Sequence, residues 1–291
     1  MSLFAVAGVT GNTGAATADA LLARGHTVRV IVRDRAKAAP WAARGAEVAI
    51  ADLADTAALT QALGNVDGAY LLNPPAYQHA DPLAMAAIVG RSLATATAAA
   101  GVPRTVVLSS IGGHLEQGTG IIRTTHEVET AFAGADGTVT ILRAPYFLEN
   151  TLAVLGLARD QGILPAMLTA DRAIDMIPVV DIGSAAADIL TGTAELPPGR
   201  NPVVELHSAT RVSPADVASA LGAALGRPVR AVALPRSEWD AVVAGWGISP
   251  ATQALYLAMN AGINAGTVDW QGTATLKGRT GLAQWARSVV G

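Results

Sequence analysis

Three glycines stand three residues apart near the start of the chain, at Gly8, Gly11 and Gly14. They close an apolar run and open a predicted helix. In that setting glycine lets the phosphates of a dinucleotide approach the backbone N–H groups at the helix N-terminus. A chance spacing among 30 glycines is the alternative, but the strand–loop–helix context is what the motif requires. The residues expected to contact the cofactor here are Gly8, Thr10, Gly11, Asn12, Thr13 and Gly14.

The residue after the second predicted strand bears on which dinucleotide binds. NAD sites usually carry Asp or Glu there, to hold the ribose 2′-hydroxyl. This chain has Arg33 instead, followed by Asp34 and, one helical turn further, Lys37. Because a guanidinium pairs well with a 2′-phosphate, the sequence favours NADP(H) over NAD(H). The alternative is a solvated arginine beside an aspartate that only caps a helix.

Two further loops at predicted strand ends complete the expected cofactor site. Asp52 and Leu53 follow the third strand, where an adenine would rest. Asn73, Pro74 and Pro75 follow the fourth strand, where the prolines end the strand pairing and fix a loop near the nicotinamide ribose. An ordinary strand-terminating loop is the alternative for each.

An alternation of strands and helices positions these loops. Apolar runs predict strands at 3–7, 27–32, 46–50, 68–72, 104–108 and 138–142, with helices between them that include one at 34–44. Because the runs are apolar throughout, the strands should be parallel and covered on both faces. The sequence therefore predicts an α/β fold with a Rossmann-type doubly wound parallel sheet.

The second half of the chain follows a looser pattern. A strand is predicted at 175–180, a helix at 181–190 and a further strand at 203–206. We expect an NADP-binding Rossmann domain at 1–150 and a smaller mixed α/β domain at 151–291 that mainly binds substrate. Near 175–207 the chain should return to the Rossmann sheet.

Composition excludes several classes of protein. Hydrophobic residues make up 51% of the chain and charged residues 15%, which favours a packed core over disorder. A net charge of −3 offers no basic field for nucleic acid. There is no cysteine, and the five histidines lack ligand spacing, so we expect no metal site.

The sequence predicts neither a secretory signal nor a membrane-spanning segment. Its N-terminus lacks a basic region and a cleavage signature. The alanine-rich segment 82–102 is broken by Arg91 and is interpreted as a buried helix rather than a membrane span. We expect a cytoplasmic protein whose partner is a small-molecule substrate, with a homodimer as an open possibility.

Taken together, the motifs resemble those of the NmrA-like branch of the atypical short-chain dehydrogenase/reductases. The segments that carry the resemblance are GVTGNTG at 8–14, VRD at 32–34, ADL at 51–53, LSS at 108–110, RAPYFLEN at 143–150 and IPVVDIG at 177–183. The resemblance implies a Rossmann domain that prefers NADP(H) and a variable C-terminal substrate domain. Members of that family include quinone, azo, enone and imine reductases, and catalytically silent redox sensors.

The catalytic pair of short-chain dehydrogenases is missing. Those enzymes use Tyr-x-x-x-Lys on the helix after strand five, with a serine from the end of that strand. Ser109 and Ser110 occupy the serine's place, but none of the four tyrosines has lysine four residues on. Many NmrA-like relatives keep a lysine shortly before a glutamate that resembles Glu129, and here that slot falls on Thr125 or His126.

Three residues are candidates for the missing proton chemistry. They are Ser109, His126 and Tyr146, and Ser109 is also expected to contact the cofactor. An imidazole titrates near neutrality, so His126 is able to replace the lysine. The apolar face of its helix gives the alternative that it points elsewhere. The residues expected in the substrate pocket are Tyr77, Ser110, Tyr146, Phe147, Asn150 and Trp246, with plain core packing as the alternative for the aromatic ones.

These features predict an NADP(H)-dependent oxidoreductase. It would transfer hydride to a small apolar acceptor such as a quinone, enone, imine or azo compound, without the standard Tyr-x-x-x-Lys relay. The alternative is a non-catalytic NADP(H) redox-sensing regulator, which the missing pair favours. An epimerase or dehydratase is disfavoured, because those enzymes normally retain the tyrosine.

Overall fold

The computed structural model describes residues 2–135, 138–197 and 201–291. The strands are β1 Leu3–Ala7, β2 Thr27–Val32, β3 Glu47–Ile50, β4 Gly68–Leu71, β5 Arg104–Ser110, β6 Thr138–Ala144, β7 Tyr146–Phe147, β8 Ile163–Ala166, β9 Met176–Ile177, β10 Val203–His207, β11 Arg230–Ala233 and β12 Ala274–Lys277. The helices are α1 Asn12–Ala23, α2 Ala39–Ala42, α3 Thr56–Ala62, α4 Pro82–Ala99, α5 Arg123–Phe132, α6 Leu155–Gln161, α7 Val179–Thr191, α8 Pro214–Leu225, α9 Trp239–Ala244, α10 Pro250–Ala265 and α11 Leu282–Val290.

Eight parallel strands form the central sheet, in the order β12-β10-β6-β5-β4-β1-β2-β3. The order reverses between β1 and β4, because the chain adds strands outward in both directions from that point. In doubly wound sheets a ligand crevice opens at such a reversal, outside the carboxyl ends of the strands. The predicted fold class is confirmed.

Both faces of the sheet are buried, as the apolar strands predict. In β1, Val6 joins a core with Leu21 of α1 and Ile182 of α7. The alternate residue Ala5 joins a second core with Leu93 of α4 on the opposite face. A strand whose successive side chains enter two cores cannot alternate between apolar and polar residues.

The alanine-rich segment forms α4. By length and composition this 18-residue helix could cross a membrane, with a mean hydropathy of 1.2. In the structure it packs beside α3 and α5 and buries Val89, Leu93 and Ala96 over the sheet. The interpretation of the segment as a core helix agrees with this packing.

Three details of the predicted elements are wrong. Asp34 caps a 3₁₀ helix at Arg35–Ala38 that continues into the short α2, rather than one helix over 34–44. The strand predicted at 175–180 covers only Met176–Ile177, because α7 begins immediately after Pro178, which has no N–H to pair. The four-residue strands β8, β11 and β12 were not predicted at all.

The C-terminal part of the chain divides between two places. β10 and β12 extend the central sheet beyond β6, whereas β8 pairs with β11 and β7 with β9 in two small sheets. A third core joins α8, α11 and β8 through Val217, Trp285 and Leu164. This part therefore lies against the sheet at the end where the crevice opens.

Candidate cofactor and acceptor site

The loop between β1 and α1 owes its shape to two of its three glycines. Gly8 has a φ of 72°, in the left-handed region that favours glycine. A Cβ on Gly14 would overlap the carbonyl oxygen of Ala7, so only glycine lets α1 lie this close to β1. A Cβ on Gly11 would meet only the Gly8 carbonyl oxygen, at 3.5 Å. The first and third glycines are thus demanded by the fold, and the second leaves open space.

The N-terminus of α1 fits an anionic group. Gly11 is its N-cap residue, no side chain caps it, and its first turn contains no acidic residue. Thr10, Gly11 and Asn12 are exposed, and Thr13 is buried beneath them. The unpaired N–H groups and the positive end of the helix dipole therefore face open space, where a phosphate would satisfy them.

The end of β2 presents cations beside this loop. Arg33 and Lys37 are both exposed. The Asp34 carboxylate is engaged locally, since its Oδ1 accepts the Ala36 N–H at 2.9 Å. Within the described residues, no carboxylate lies at ion-pairing distance from Arg33 or Lys37. Both cations can therefore receive a phosphate without first breaking an internal pair.

The other predicted cofactor residues lie at the same edge of the sheet. After β3, Leu53 is buried and Asp52 is exposed. After β4, Asn73 and Pro74 are half-buried and Pro75 is exposed. Since β3, β2, β1 and β4 are consecutive neighbours in a parallel sheet, these loops and the glycine loop line one crevice. Whether each residue contacts a cofactor stays a prediction.

Ser109 is held in a buried network of charged side chains. Its hydroxyl donates to Oε1 of Glu129 on α5. Arg143 of β6 donates to both oxygens of the same carboxylate, at 2.9 and 2.6 Å, and to the Gln271 side-chain oxygen at 2.6 Å. Ser109 and Arg143 are each only 3% exposed. The serine's hydroxyl proton is thus bonded within the protein, and its predicted catalytic role stays untested.

Glu205 extends this network to the next strand. Arg143 lies between Ser109 and Glu205 in the register of β5, β6 and β10. The Glu205 carboxylate accepts the backbone N–H groups of residues 271–273, at 2.7 to 3.3 Å. The buried Glu205 side chain thereby holds the segment that leads into β12 in place. Sequence reasoning assigned no role to Arg143 or Glu205, although a charge inside an apolar strand was the available signal.

His126 also contacts the loop after β5. Its Nδ1 lies 2.9 Å from the Gly113 carbonyl oxygen. Because a carbonyl only accepts, Nδ1 carries the proton in this contact. His114, on the same loop, has a buried Nδ1 with no partner among the described residues. Burial, followed by the nearby Arg143 guanidinium, lowers the pKa of His114. His126 therefore supports the loop, and a catalytic role for it stays a prediction.

The residues predicted for the substrate pocket lie at or after the ends of three neighbouring strands, β4, β5 and β6, and on one distant segment. Ser110 and Tyr146 are half-buried and stand at the ends of β5 and β6. Burial raises the pKa of Tyr146, and a hydrogen bond with the Asn150 side chain partly opposes that shift. Tyr77 and Trp246 are exposed.

Phe147 takes a different position from these residues. It pairs with Ile177 between β7 and β9 and packs against the core on the α1 and α7 face. Tyr256 of α10, which sequence reasoning did not select, contacts Trp246 edge to face, with ring centroids 5.6 Å apart. Tyr256 lies ten residues from Trp246 and over a hundred from Tyr146 in the chain, so no local sequence pattern predicts that it lies near them.

Comparison with known proteins relates this chain to a protein family. The model of the NmrA-like family matches residues 1–273. The NAD(P)H azoreductase of Xenophilus azovorans is 28% identical over 287 residues, which cover 97% of this chain and 96% of that protein. The (4-alkanoyl-5-oxo-2,5-dihydrofuran-3-yl)methyl phosphate reductase of Streptomyces griseus is 30% identical over 225 residues, covering 76% and 74%.

A solved structure agrees over the full length. The NADPH-dependent quinone oxidoreductase of Escherichia coli, in complex with NADPH, superposes with a TM-score of 0.78 at 24% identity. The superposition covers 99% of this chain and 100% of that one, and at this identity it shows the shared fold. Because the family model spans nearly all of its residues, the chain belongs to the NmrA-like family.

Proposed function

We propose that the protein is an NADP(H)-dependent reductase that transfers hydride to a small apolar acceptor, such as a quinone, enone, imine or azo compound. The observation that carries the proposal is the uncapped N-terminus of α1 behind the glycine loop, at the reversal of strand order. The relatives named above, an azoreductase and a reductase of an unsaturated lactone, support a redox reaction. The quinone oxidoreductase adds support through its fold.

NADP(H) is the proposed cofactor rather than NAD(H). Arg33 occupies the place of the acid that would hold a 2′-hydroxyl, and neither Arg33 nor Lys37 is paired with a carboxylate in the described part of the chain. A 2′-phosphate would give these two cations a charge-assisted partner. When bound, the reduced nicotinamide supplies the hydride.

The state of the chain's own proton donors favours an acceptor that needs little acid assistance. Ser109 and His126 each use a proton in an internal hydrogen bond, to Glu129 and Gly113. Burial raises the pKa of Tyr146, so its phenol stays protonated and releases its proton reluctantly. Without Tyr-x-x-x-Lys, acceptors that need little acid assistance suit this site best, with quinones first.

Turnover with a panel of acceptors tests the proposal. The purified protein would be mixed with NADPH or NADH under anaerobic conditions, together with a quinone, an enone, an imine and an azo dye. We expect oxidation of NADPH, faster than that of NADH, with the quinone. A protein that binds NADPH but oxidises it with none of the four classes contradicts the proposal.

A second candidate is a redox sensor that binds NADP(H) without turnover. The missing tyrosine–lysine pair favours it. Calorimetry with NADP⁺ and NADPH, combined with the oligomeric state in each complex, distinguishes the two. A sensor should bind the two forms with different affinity and change its assembly between them. A reductase should oxidise NADPH and keep one assembly throughout.

A further inference from the structure

Helix α10 contacts two loops at the carboxyl ends of neighbouring strands. On the loop after β4, the Tyr77 carbonyl accepts the Ser249 N–H at 2.8 Å and the Thr252 hydroxyl at 3.1 Å. On the loop after β5, a Cβ on Gly120 would overlap the Leu255 carbonyl oxygen, so the two backbones touch. Since β5 and β4 are neighbours in the sheet, α10 forms a roof over their ends.

Tyr256 lies in the middle of this roof, between tyrosines from the other loops. Its phenol is close enough to those of Tyr77 and Tyr146 to interact with both. Burial, followed by the neighbouring Tyr77, raises the pKa of Tyr256, so its hydroxyl keeps its proton and remains a hydrogen-bond donor.

Among the described residues, five large hydrophobic side chains are exposed, and two of them lie at the edge of this roof. Tyr77 is 45% exposed and Trp246 is 47% exposed. The segments that carry them are joined by a hydrogen bond from the Gln78 side chain to the Gly247 carbonyl oxygen. The Trp246 ring meets Tyr256 edge to face, at an interplanar angle of 86°. Exposed aromatic side chains grouped beside a cleft are typical of a ligand-binding surface.

The roof covers the half of the crevice opposite Arg33. A dinucleotide bound across the reversal point spans strands on both sides of β1. Arg33 follows β2, which lies on one side of β1. Because Arg33 is the proposed contact of the 2′-phosphate, the adenosine half of the dinucleotide lies on this side. The reacting half then lies toward β4, β5 and β6, beneath α10.

We propose that Trp246 and Tyr256 form the wall against which the acceptor lies, and that this wall selects planar acceptors of two or more fused rings over single-ring ones. The inference rests on the proposed reductase function. The two rings are nearly perpendicular, so a planar acceptor stacks on one of them and meets the other with its edge. A single ring stacked on one side chain stops short of the other, whereas a fused two-ring acceptor reaches both.

Quinones of different size test the wall. We compare 1,4-benzoquinone with 2-methyl-1,4-naphthoquinone on the wild-type protein and on Trp246→Ala and Tyr256→Leu. Losing one aromatic contact should raise KM for the naphthoquinone about tenfold while that for benzoquinone changes by less than about threefold. Tyr256→Phe keeps the ring and should retain the preference for two rings. Ile88→Ala, an exposed residue of α4 outside the roof, is the matched control and should change neither KM.

Binding without turnover separates the two hypotheses. The protein saturated with NADP⁺ is titrated calorimetrically with 2-naphthol and with phenol, which are rings that cannot accept hydride. If no quinone oxidises NADPH, the reductase proposal fails, and preferential 2-naphthol binding that is lost in Trp246→Ala still supports the wall. Equal effects of Trp246→Ala and Tyr256→Leu on one-ring and two-ring ligands, or no effect on either, overturn the wall. Unfolding curves check that each variant folds.

Discussion

The two ends of the crevice are built in different ways. The proposed phosphate end consists of residues 8–14, which are contiguous, and of the first residues after β2. The proposed acceptor end consists of Tyr77, Tyr146 and the segment 246–256, which are far apart in the chain. The residues of the phosphate end therefore form one local sequence motif, whereas those of the acceptor end come together only when the chain folds.

The forces that hold the two ends differ as well. At the phosphate end the backbone itself is the fitted part, because Gly14 lets α1 rest on β1. On the side of β5, β6 and β10, buried charges and hydrogen bonds join distant segments, since Arg143 binds Glu129 of α5 and Glu205 binds the segment that begins at Gln271. Substitutions should accordingly act on cofactor binding at the first end, and on stability or acceptor affinity at the second.

The largest expected effect comes from breaking the buried pair at the acceptor end. Arg143→Met leaves the Glu129 carboxylate without its bidentate partner, where the two side chains are only 4% and 12% exposed. Removing one member of a buried pair should lower the free energy of unfolding by about 3–5 kcal/mol. Urea unfolding measures this. Arg143→Lys keeps the charge but not the fork and should lose less. A loss from Arg143→Met below about 1 kcal/mol, the value of an exposed pair, would show that the network carries little stability.

A pair of glycine variants sharpens the contrast at the phosphate end. Gly14→Ala forces α1 away from β1 and should lower the free energy of unfolding by about 1–3 kcal/mol, as overpacking does. NADPH affinity should fall with it, because the helix N-terminus moves. In Gly11→Ala the new Cβ meets only an ordinary contact at 3.5 Å, so stability should change by less than about 0.5 kcal/mol. Urea unfolding and NADPH fluorescence titration measure both. Equal stability losses for the two variants would refute the division of roles between these glycines.

A smaller effect is expected at the 2′-phosphate contact. Arg33→Ala removes a charge-assisted hydrogen bond and should weaken NADPH binding by about 10- to 100-fold. NADH has no 2′-phosphate, so its affinity should change little. Calorimetric titration of both cofactors measures the difference. Arg91→Ala removes another exposed positive charge, from α4, and controls for net charge. Equal losses for NADPH and NADH would remove the role proposed for Arg33.

This difference between the two ends explains which features of the structure could be predicted from the sequence. The parallel sheet and the glycine loop are determined by local apolar runs and by backbone constraints, which one sequence displays. The 3₁₀ helix after Asp34 and the four-residue strand β12 depend on tertiary packing and leave only a weak local trace. No local pattern predicts the position of Tyr256, because only the fold brings α10 over the loops after β4 and β5. The sequence therefore does not show which residues on distant segments come together at a site.

The last and smallest effect concerns how the C-terminal helix is fastened on the acceptor side. Glu149 accepts the Val179 N–H at 3.1 Å and the Trp285 indole N–H at 3.1 Å, and so links α7 to α11. Burial raises the pKa of Glu149 above its ordinary value of 4.5, because it disfavours the charged form more than these hydrogen bonds favour it.

A raised pKa in the folded state has a defined consequence for stability. The unfolded chain releases this proton first, so the contribution of Glu149 is most favourable below pH 4.5 and declines as pH rises through the folded-state pKa. Glu149→Gln keeps an acceptor oxygen and cannot ionise, so its stability relative to wild type should improve as pH rises from 4.5 toward neutrality. Urea unfolding across that range measures the difference. A difference that is constant with pH, or that falls, would mean that the hydrogen bonds from Val179 and Trp285 outweigh burial and favour the carboxylate.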